Sequence, residues 1–517
     1  MVNFIYKELF WLCLLDLKKK ASILFALRVL KLLVGIFNLS LSAKYFGVSE
    51  DRDIWLLALN GVIILDMALW GPINETFRTR FIYVREQEGE AAALLQTRSL
   101  IFFTFLISLF ITTILLLQAS SWGQLLAPDF AKASGNKLSL MLMVLAPSFL
   151  VSQLTLILTS VLNAYNSFYV PEITSFLTAI INLLLLVLLA PIVGIYSLAV
   201  SYYIGLLLLL ALLVYQLHKK KLSLFKWTAK PRFSHFKLFF LYALPFFLPY
   251  FLGQLNGLVE KALASSLGEG FVSVVDYGKK FPDMALTVMS SVLTTMLVPT
   301  LSSAFSRRDS TSLQEQFRQI YQLGILIIGL MIAFLTTSAL PLIGLFYDKG
   351  AIPPEDLQTI SDLAMQYSWA ALAVFIYLIT GLTLMATDQR KRYAVFGMAA
   401  QVVMIIINWS LVPVLGVHIF PLAMLAAHMV SAICMLPYLP YPKKELIQLT
   451  AKYVLFFVAI ILPCLLLNHY LPHAGNYFRH LCINTTIILG LGLINLFLFK
   501  IEERLVIIKF IQKIGRR

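Results

Sequence analysis

The stretch HKKKLSLFKWTAKPRFSHFK, His218 to Lys237, lies near the middle of the 517-residue chain and separates two long series of apolar segments. It contains seven Lys and Arg residues and no acidic residue. Short loops rich in Lys and Arg remain in the cytoplasm when a membrane protein inserts. The stretch therefore predicts a cytoplasmic linker between two membrane-embedded halves. A cationic linker between two helical lobes favours a transporter over an enzyme.

Composition also places the chain in a membrane. Hydrophobic residues make up 60% of the sequence, charged residues make up 13%, and the mean hydropathy is +0.84. A soluble domain carries about 25% charged residues. The net charge of +15 does not indicate a nucleic-acid partner, because the cations lie in short loops beside apolar segments. The cysteines lack metal-ligand spacing and are predicted to be small packing residues: Cys13, Cys434, Cys464 and Cys482.

The number and orientation of the spans follow from apolar length and loop charge. A helix needs about 20 apolar residues to cross the hydrocarbon core of a bilayer. With the N-terminus inside, every strongly basic loop falls on the cytoplasmic side, and the loops 49–53, 268–276 and 347–356 are predicted outside. The sequence predicts an all-α polytopic membrane protein of fourteen helices with both termini in the cytoplasm. The predicted spans are 22–43, 54–77, 98–118, 138–164, 170–190, 194–217, 237–263, 272–304, 318–346, 358–385, 393–415, 418–438, 451–471 and 479–499.

Two fragments of the first half resemble fragments of the second. LDMAL at 65–69 is similar to PDMAL at 282–286, and LNAYNSFYV at 162–170 precedes a helix as LMATDQRKRYAV at 384–395 does. Both offsets are about 220 residues, or six helices, and transporters are often built from such repeats. We therefore expect an N-terminal interfacial helix (1–20), a first six-helix lobe (21–217), a linker (218–236), a second lobe (237–440), and two helices with a basic tail (441–517).

Charged side chains inside the predicted spans are the candidate functional residues. Each costs roughly 2.5–3.5 kcal/mol to insert and by default marks a polar pathway. Arg28 and Lys31 lie on one face of the first helix, and their cations suit an anionic substrate, above all a phosphate or diphosphate. A lysine that extends to the interface, or a buried ion pair at Asp66, is the structural alternative. The predicted substrate-binding residues are Arg28, Lys31, Lys279, Lys280, Asp66 and Asp283, and Glu260 is the predicted ion-coupling residue.

Three blocks of sequence carry a resemblance to a known family. They are ALRVLKLL with AKYFGVSEDRDIWLLAL in helices 1–2, GQLNGLVEKALASSLGEG with SVVDYGKKFPDMAL and TMLVPTLSSAF in helices 7–8, and FYDKGAI at 346–352. These blocks resemble the MurJ/MviN lipid II flippases of the MOP (multidrug/oligosaccharidyl-lipid/polysaccharide) exporter superfamily. The architecture is similar over the whole chain, and the motifs cover about a fifth of it.

The resemblance implies roles for individual residues. Arg28 matches an essential arginine of the family, and Lys280 falls where the family has an arginine on helix 8. Glu260 matches an acid that contributes to a sodium site in some members, and Asp53 matches the aspartate after the FG turn. The chain departs from the family on helix 2, where Asp66 replaces an arginine. It also lacks the second arginine of helix 1, for which Lys31 is the expected substitute.

The resemblance implies a flippase that moves an undecaprenyl-diphosphate-linked saccharide, lipid II or a related peptidoglycan precursor, to the outer leaflet by alternating access. It implies a monomer in the bacterial inner membrane, with no catalytic residue and no cofactor beyond Na⁺ or H⁺ coupling. The missing arginines favour an alternative, a Wzx-type flippase for O-antigen or capsular repeat units. A MATE-type antiporter, a membrane glycosyltransferase and an inactive scaffold are further alternatives. No Walker A sequence is present to indicate that ATP drives transport.

Overall fold

The computed structural model describes residues 26–502 and 504, except 166, 168, 223, 225–229, 294–296, 471–475 and 503. The predicted interfacial helix at 1–20, Cys13, the middle of the linker and nearly all of the basic tail lie outside this part. The described residues form helices and no strands, which confirms the all-α polytopic fold. The helices are α1 (Ala26–Phe46), α2 (Glu50–Glu88), α3 (Glu90–Leu117), α4 (Ala119–Leu126), α5 (Pro128–Leu145), α6 (Ser148–Ala164), α7 (Tyr169–Val193), α8 (Tyr196–Lys219), α9 (Phe233–Ser266), α10 (Phe271–Val292), α11 (Val298–Ser306), α12 (Ser310–Tyr347), α13 (Pro354–Ala386), α14 (Arg390–Leu415), α15 (Ile419–Met435), α16 (Lys443–Tyr470) and α17 (Tyr477–Leu498).

Twelve stretches of the described chain are long and apolar enough to cross a membrane. One of them, Arg390–Tyr438, contains both α14 and α15, which the sequence predicts as two spans. The predicted eighth span is not among the twelve, because α10 contains four charged residues, Asp276, Lys279, Lys280 and Asp283. The count of fourteen and the cytoplasmic position of both termini stay predictions.

All three of the predicted outer loops are partly helical, and in the third Tyr347 ends α12 and Pro354 begins α13. The Ser49 side chain accepts a hydrogen bond from the backbone N–H of Arg52, so it caps α2, and three acidic residues follow in the first turn. Acidic side chains stabilise a helix N-terminus because they oppose its positive dipole end. The prediction of a loop over 49–53 is therefore wrong beyond Ser49. The prediction for 268–276 is wrong in the same way, since α10 begins at Phe271.

The described helices fall into two compact units, and the first ends at Glu269. This unit contains α1 to α9, because α9 packs along α2 and α3. The rings of Phe77 and Phe239 stack with centroids 5.4 Å apart, and Gly71 leaves room for the ring of Tyr250. Helix α9 follows the basic linker in sequence, so the observed unit extends beyond the linker at which the sequence analysis divides the chain.

The second unit begins at Gly270 and is held together by a buried apolar core between α10, α12, α13, α16 and α17. One buried polar contact lies inside it: Asn484 Nδ2 donates to the Thr337 carbonyl and to Ser338 Oγ, both at 3.0 Å. At the start of α12, Asp309 caps the helix. The backbone N–H of Ser312 and the hydroxyl of Thr311 hold the pKa of the Asp309 carboxyl below its usual range.

Helix α10 approaches α13 closely at Gly278. A Cβ there would lie 2.7 Å from the Leu363 Cβ and 3.3 Å from the Ile360 carbonyl oxygen, and neither atom can rotate away. We expect Gly278→Ala to lower the stability of the folded protein by about 1–3 kcal/mol, the usual cost of overpacking. Thermal unfolding in detergent measures this effect. Gly490→Ala is the matched control, because nothing lies within 4 Å of its added Cβ. Equal unfolding temperatures for the two variants would contradict the prediction.

Candidate anion-binding cavity

A polar cavity of about 290 Å³ lies within the first unit, where α1, α6, α7 and α8 meet. Helix α1 contributes its two cations to the wall, and α7 contributes an acid and a hydroxyl. Its volume is at the lower end of the range for small-molecule sites, so it fits a headgroup fragment such as a diphosphate. The residues around it are Arg28, Lys31, Thr159, Asn163, Pro171, Glu172, Ser175 and Leu209.

Two parallel contacts join α1 to α7 at this cavity. Arg28 donates from Nη2 and Nε to Glu172 Oε1, at 2.8 and 3.0 Å, and forms an ion pair with it. Lys31 Nζ donates to Ser175 Oγ at 2.6 Å. Residues 28 and 31 lie one turn apart on α1, as 172 and 175 do on α7, so both contacts use the same spacing. The structure thus brings together the first two predicted site residues.

Glu172 is the functional candidate that sequence reasoning missed. It lies in the first turn of α7 and is the only charged residue of that helix. A single acid at the start of an otherwise apolar span is a detectable signal, but nothing in the sequence indicates that its partner lies on α1. The ion pair leaves Arg28 half exposed, with 51% of its side chain accessible. Arg28 can therefore pair with Glu172 and still face a second anion.

Asp66 is not among the residues that line this cavity. It is buried on α2, where it accepts hydrogen bonds from Ser152 and Gln153 of α6. The predicted role of Asp66 in substrate binding stays a prediction.

The remaining predicted substrate residues lie on α10 in the second unit. Lys280 Nζ pairs with Asp276 Oδ1 at 3.1 Å, one turn earlier in the helix. The Lys279 ammonium lies over the ring of Tyr367, 5.4 Å from its centroid, which is a cation–π distance. Asp283 follows Lys279 by one turn on the same face. Lys279, Lys280 and Asp283 stay predicted substrate-binding residues.

Glu260 lies on α9 in a setting that fits a bound cation. It is 6% exposed, and Asn256, one turn earlier on the same face, is 7% exposed. The Asn256 Oδ1 atom is buried and has no hydrogen-bond partner among the described residues. A carboxylate and an amide oxygen are the ligand types that hard cations prefer. Glu260 and Asn256 would hold Na⁺ if it binds here, and the ion would supply a positive charge inside the first unit.

Sequences and structures of known proteins resemble this chain. The model of the family described as lipid II flippase MurJ matches residues 42–486. A solved structure of the lipid II flippase MurJ in an inward closed conformation is similar over 94% of this chain and 99% of its own, with a TM-score of 0.77 and 20% identity. A comparison with curated proteins finds no match.

Transporters of the wider superfamily have similar structures. An inward-facing multidrug-resistance MATE transporter covers 82% of this chain and 98% of its own, with a TM-score of 0.66 and 14% identity. A MOP-superfamily transporter from Pyrococcus furiosus, described as having a binding pocket of reverse polarity, covers 80% of this chain and 93% of its own, with a TM-score of 0.58 and 12% identity. At these identities, the structural matches show a common fold.

Proposed function

Because the chain belongs to the MurJ family of lipid II flippases, we propose that it moves an undecaprenyl-diphosphate-linked saccharide, lipid II or a related peptidoglycan precursor, across the bacterial inner membrane. The direction is from the cytoplasmic to the outer leaflet, by alternating access. The family is one of transporters, and the chain is a multi-pass membrane protein.

The observation that carries this proposal is the placement of Arg28 and Lys31 in a polar cavity between membrane helices. Cations at membrane depth are costly unless they are paired, and here one carboxylate neutralises only one of the two. Arginine and lysine bind phosphate oxygens through charge-assisted hydrogen bonds, and arginine does so with two parallel N–H groups. A cavity with one net positive charge, sized for a headgroup fragment, supports an anionic diphosphate as the ligand.

Glu172 has a defined part in this mechanism. In the state described here Glu172 accepts the two hydrogen bonds from Arg28. In the loaded state a diphosphate oxygen would accept them instead. Substrate binding exchanges the carboxylate for the diphosphate, and release returns Arg28 to Glu172. The exchange keeps the half-exposed Arg28 cation paired in both states, which lowers the free-energy cost of the empty cavity.

The membrane potential and an ion provide the driving force. An inside-negative potential favours outward movement of an anion by about 2.3 kcal/mol per charge per 100 mV. Na⁺ held by Glu260 and Asn256 would add charge to the first unit and change the balance between its empty and loaded states.

Rescue of a bacterial strain depleted of its own lipid II flippase tests the proposal. We expect the wild-type chain, expressed at a level verified in isolated membranes, to restore growth and to clear lipid II from the cytoplasmic leaflet. An empty vector is the control. Purified protein in vesicles with fluorescent lipid II gives the direct measurement, as the fraction of label that becomes accessible from the opposite side.

Failure has two distinguishable forms. If the protein does not move lipid II but moves a polyprenyl diphosphate that carries another saccharide, the Wzx-type alternative replaces the lipid II proposal. If it moves neither lipid, transport of diphosphate-linked saccharides is rejected.

A further inference from the structure

Asp66 lies at the end of a hydrogen-bond chain within α2 and α6. Its side chain is 5% exposed. Ser152 Oγ donates to Oδ2 at 3.1 Å, and Gln153 Nε2 donates to Oδ1 at 2.5 Å. Gln153 Oε1 accepts from Asn74 Nδ2 at 3.2 Å. The donors therefore run in one direction, from half-buried Asn74 through Gln153 to the buried carboxylate.

No cation among the described residues compensates this carboxylate. None of the ion pairs in the described part of the chain includes Asp66, and both of its hydrogen-bond donors are neutral. A carboxylate buried in a low-dielectric interior without a counter-ion is costly, whereas the neutral acid is not. The surroundings of Asp66 therefore suit a carboxyl group that alternates between the ionised and the protonated form.

The helices packed against α2 differ in the titratable groups that they carry. Helices α4 and α6 carry none. The contacts of Glu50 with Glu269 and of Gly71 with Tyr250 set an antiparallel register between α2 and α9. That register places Glu260 opposite Asn60, about 9 Å along the axis from Asp66. The titratable side chain that interacts with Asp66 from α8 is Tyr202. The other described titratable side chains on the packed helices are Glu90 and Arg98 on α3, Lys137 on α5, Tyr196, Tyr203, Tyr215, His218 and Lys219 on α8, and His235, Lys237, Tyr242, Tyr250, Glu260 and Lys261 on α9.

We propose that Asp66 is a proton-binding site, and that binding of the proton reverses the donor direction along this hydrogen-bond chain. One proton from water forms an O–H bond on the carboxylate and removes one negative charge. The acid now donates, so the Gln153 amide turns to present Oε1 and directs its NH₂ group to Asn74. Asn74 turns in response and accepts through Oδ1. No bond other than hydrogen bonds is broken in the protein.

The donor set favours a proton over a metal cation. A cation such as Na⁺ needs oxygen lone pairs directed at it. Around Asp66 the neighbours present an N–H and an O–H, which satisfy the carboxylate and repel a cation. The site therefore differs from Glu260, where an amide oxygen without a partner lies one turn away.

The chain connects Asp66 to the contact between α2 and α9. Asn74 immediately precedes Glu75, whose Oε2 accepts a hydrogen bond from the Tyr250 hydroxyl at 3.1 Å. When the hydrogen bonds of this series reverse their donor direction, the Asn74 side chain turns next to this contact.

Infrared difference spectroscopy of the wild-type protein in lipid vesicles tests the proposal without a transport assay. Titration from alkaline to acidic pH is expected to produce a C=O stretching band of a buried protonated carboxyl group. Asp66→Asn should lack this band, and Asp309→Asn, at an exposed helix cap, should retain it. Gln153→Met should retain the band at a shifted frequency, because a hydrogen-bond partner of the carboxyl group is lost.

The outcomes separate the alternatives. An unchanged band in Asp66→Asn would overturn the proposal, and circular dichroism of that variant shows whether it is folded. The titration is repeated with choline in place of sodium. A band that titrates differently in sodium would assign a Na⁺ site to Asp66 and would also overturn it.

Discussion

Arg28→Ala is expected to reduce lipid flipping by at least about 100-fold. The Arg28 guanidinium donates two hydrogen bonds to one carboxylate oxygen in the state described here, and it would donate the same two to a diphosphate. Each hydrogen bond to a charged group contributes about 1.5–3 kcal/mol, so the loss of both corresponds to two or more factors of ten. Growth rescue and the initial flipping rate in vesicles both measure the effect.

Two companion variants identify its cause. Arg28→Lys keeps the charge and loses the fork, so we expect activity between those of the wild type and Arg28→Ala. Arg318→Ala is the matched control, because Arg318 also pairs with a glutamate, Glu502, but does not line the cavity. Equal loss in Arg28→Ala and Arg318→Ala would show a general effect of removing an arginine and would contradict the role given to Arg28.

Glu172→Gln is expected to tighten substrate binding by up to about fivefold and to slow turnover. The wild-type carboxylate competes with the diphosphate for Arg28, and its amide replacement carries no charge. A partly exposed ion pair contributes up to about 1 kcal/mol, and 1.4 kcal/mol corresponds to a factor of ten in affinity. Release of the diphosphate slows because the variant has no carboxylate at position 172 with which Arg28 can form an ion pair again.

Substrate affinity and turnover must therefore be measured separately for this variant. Binding of fluorescent lipid II to the detergent-solubilised protein gives the dissociation constant, and flipping at saturating substrate gives the rate. Glu502→Gln serves as control, since it makes the same change in the Arg318 pair outside the cavity. Weaker binding in Glu172→Gln would mean that Glu172 contacts the substrate or holds Arg28 in place, and the exchange mechanism would be rejected.

The helical fold could be predicted from the sequence because apolar length and loop charge act locally. The structure divides or shifts a predicted span where individual residues end or begin a helix against the pattern of apolar length and loop charge. Ala146 and Pro147 separate α5 from α6 inside the predicted span 138–164. Ser49 extends α2 into a segment whose charges predict a loop, and Arg52 and Asp53 of that segment are buried.

The candidate site was only half predictable. Arg28 and Lys31 stand out because charges are rare in spans, and their spacing places them on one face. Their partners Glu172 and Ser175 are 144 residues away in the chain, and only packing of α1 on α7 brings them close. Asp66 is conspicuous for the same reason as Arg28, but its sequence neighbours are apolar, so the serine and the glutamine of α6 that donate to it could not be identified.

The 39 residues of α2 make it about 58 Å long, nearly twice the thickness of a hydrocarbon core. Its apolar part ends near Phe77, and Arg78, Arg80 and Arg85 follow before the helix stops at Glu88. About 16 Å of continuous helix therefore extends past the hydrocarbon into headgroups and water. Long arginine side chains adjust to the depth of the interface, so a helix of this kind tolerates bilayers of different thickness without changing its length. Lipid chain length would then alter the tilt and immersion of α2 while its packing on α9 is retained.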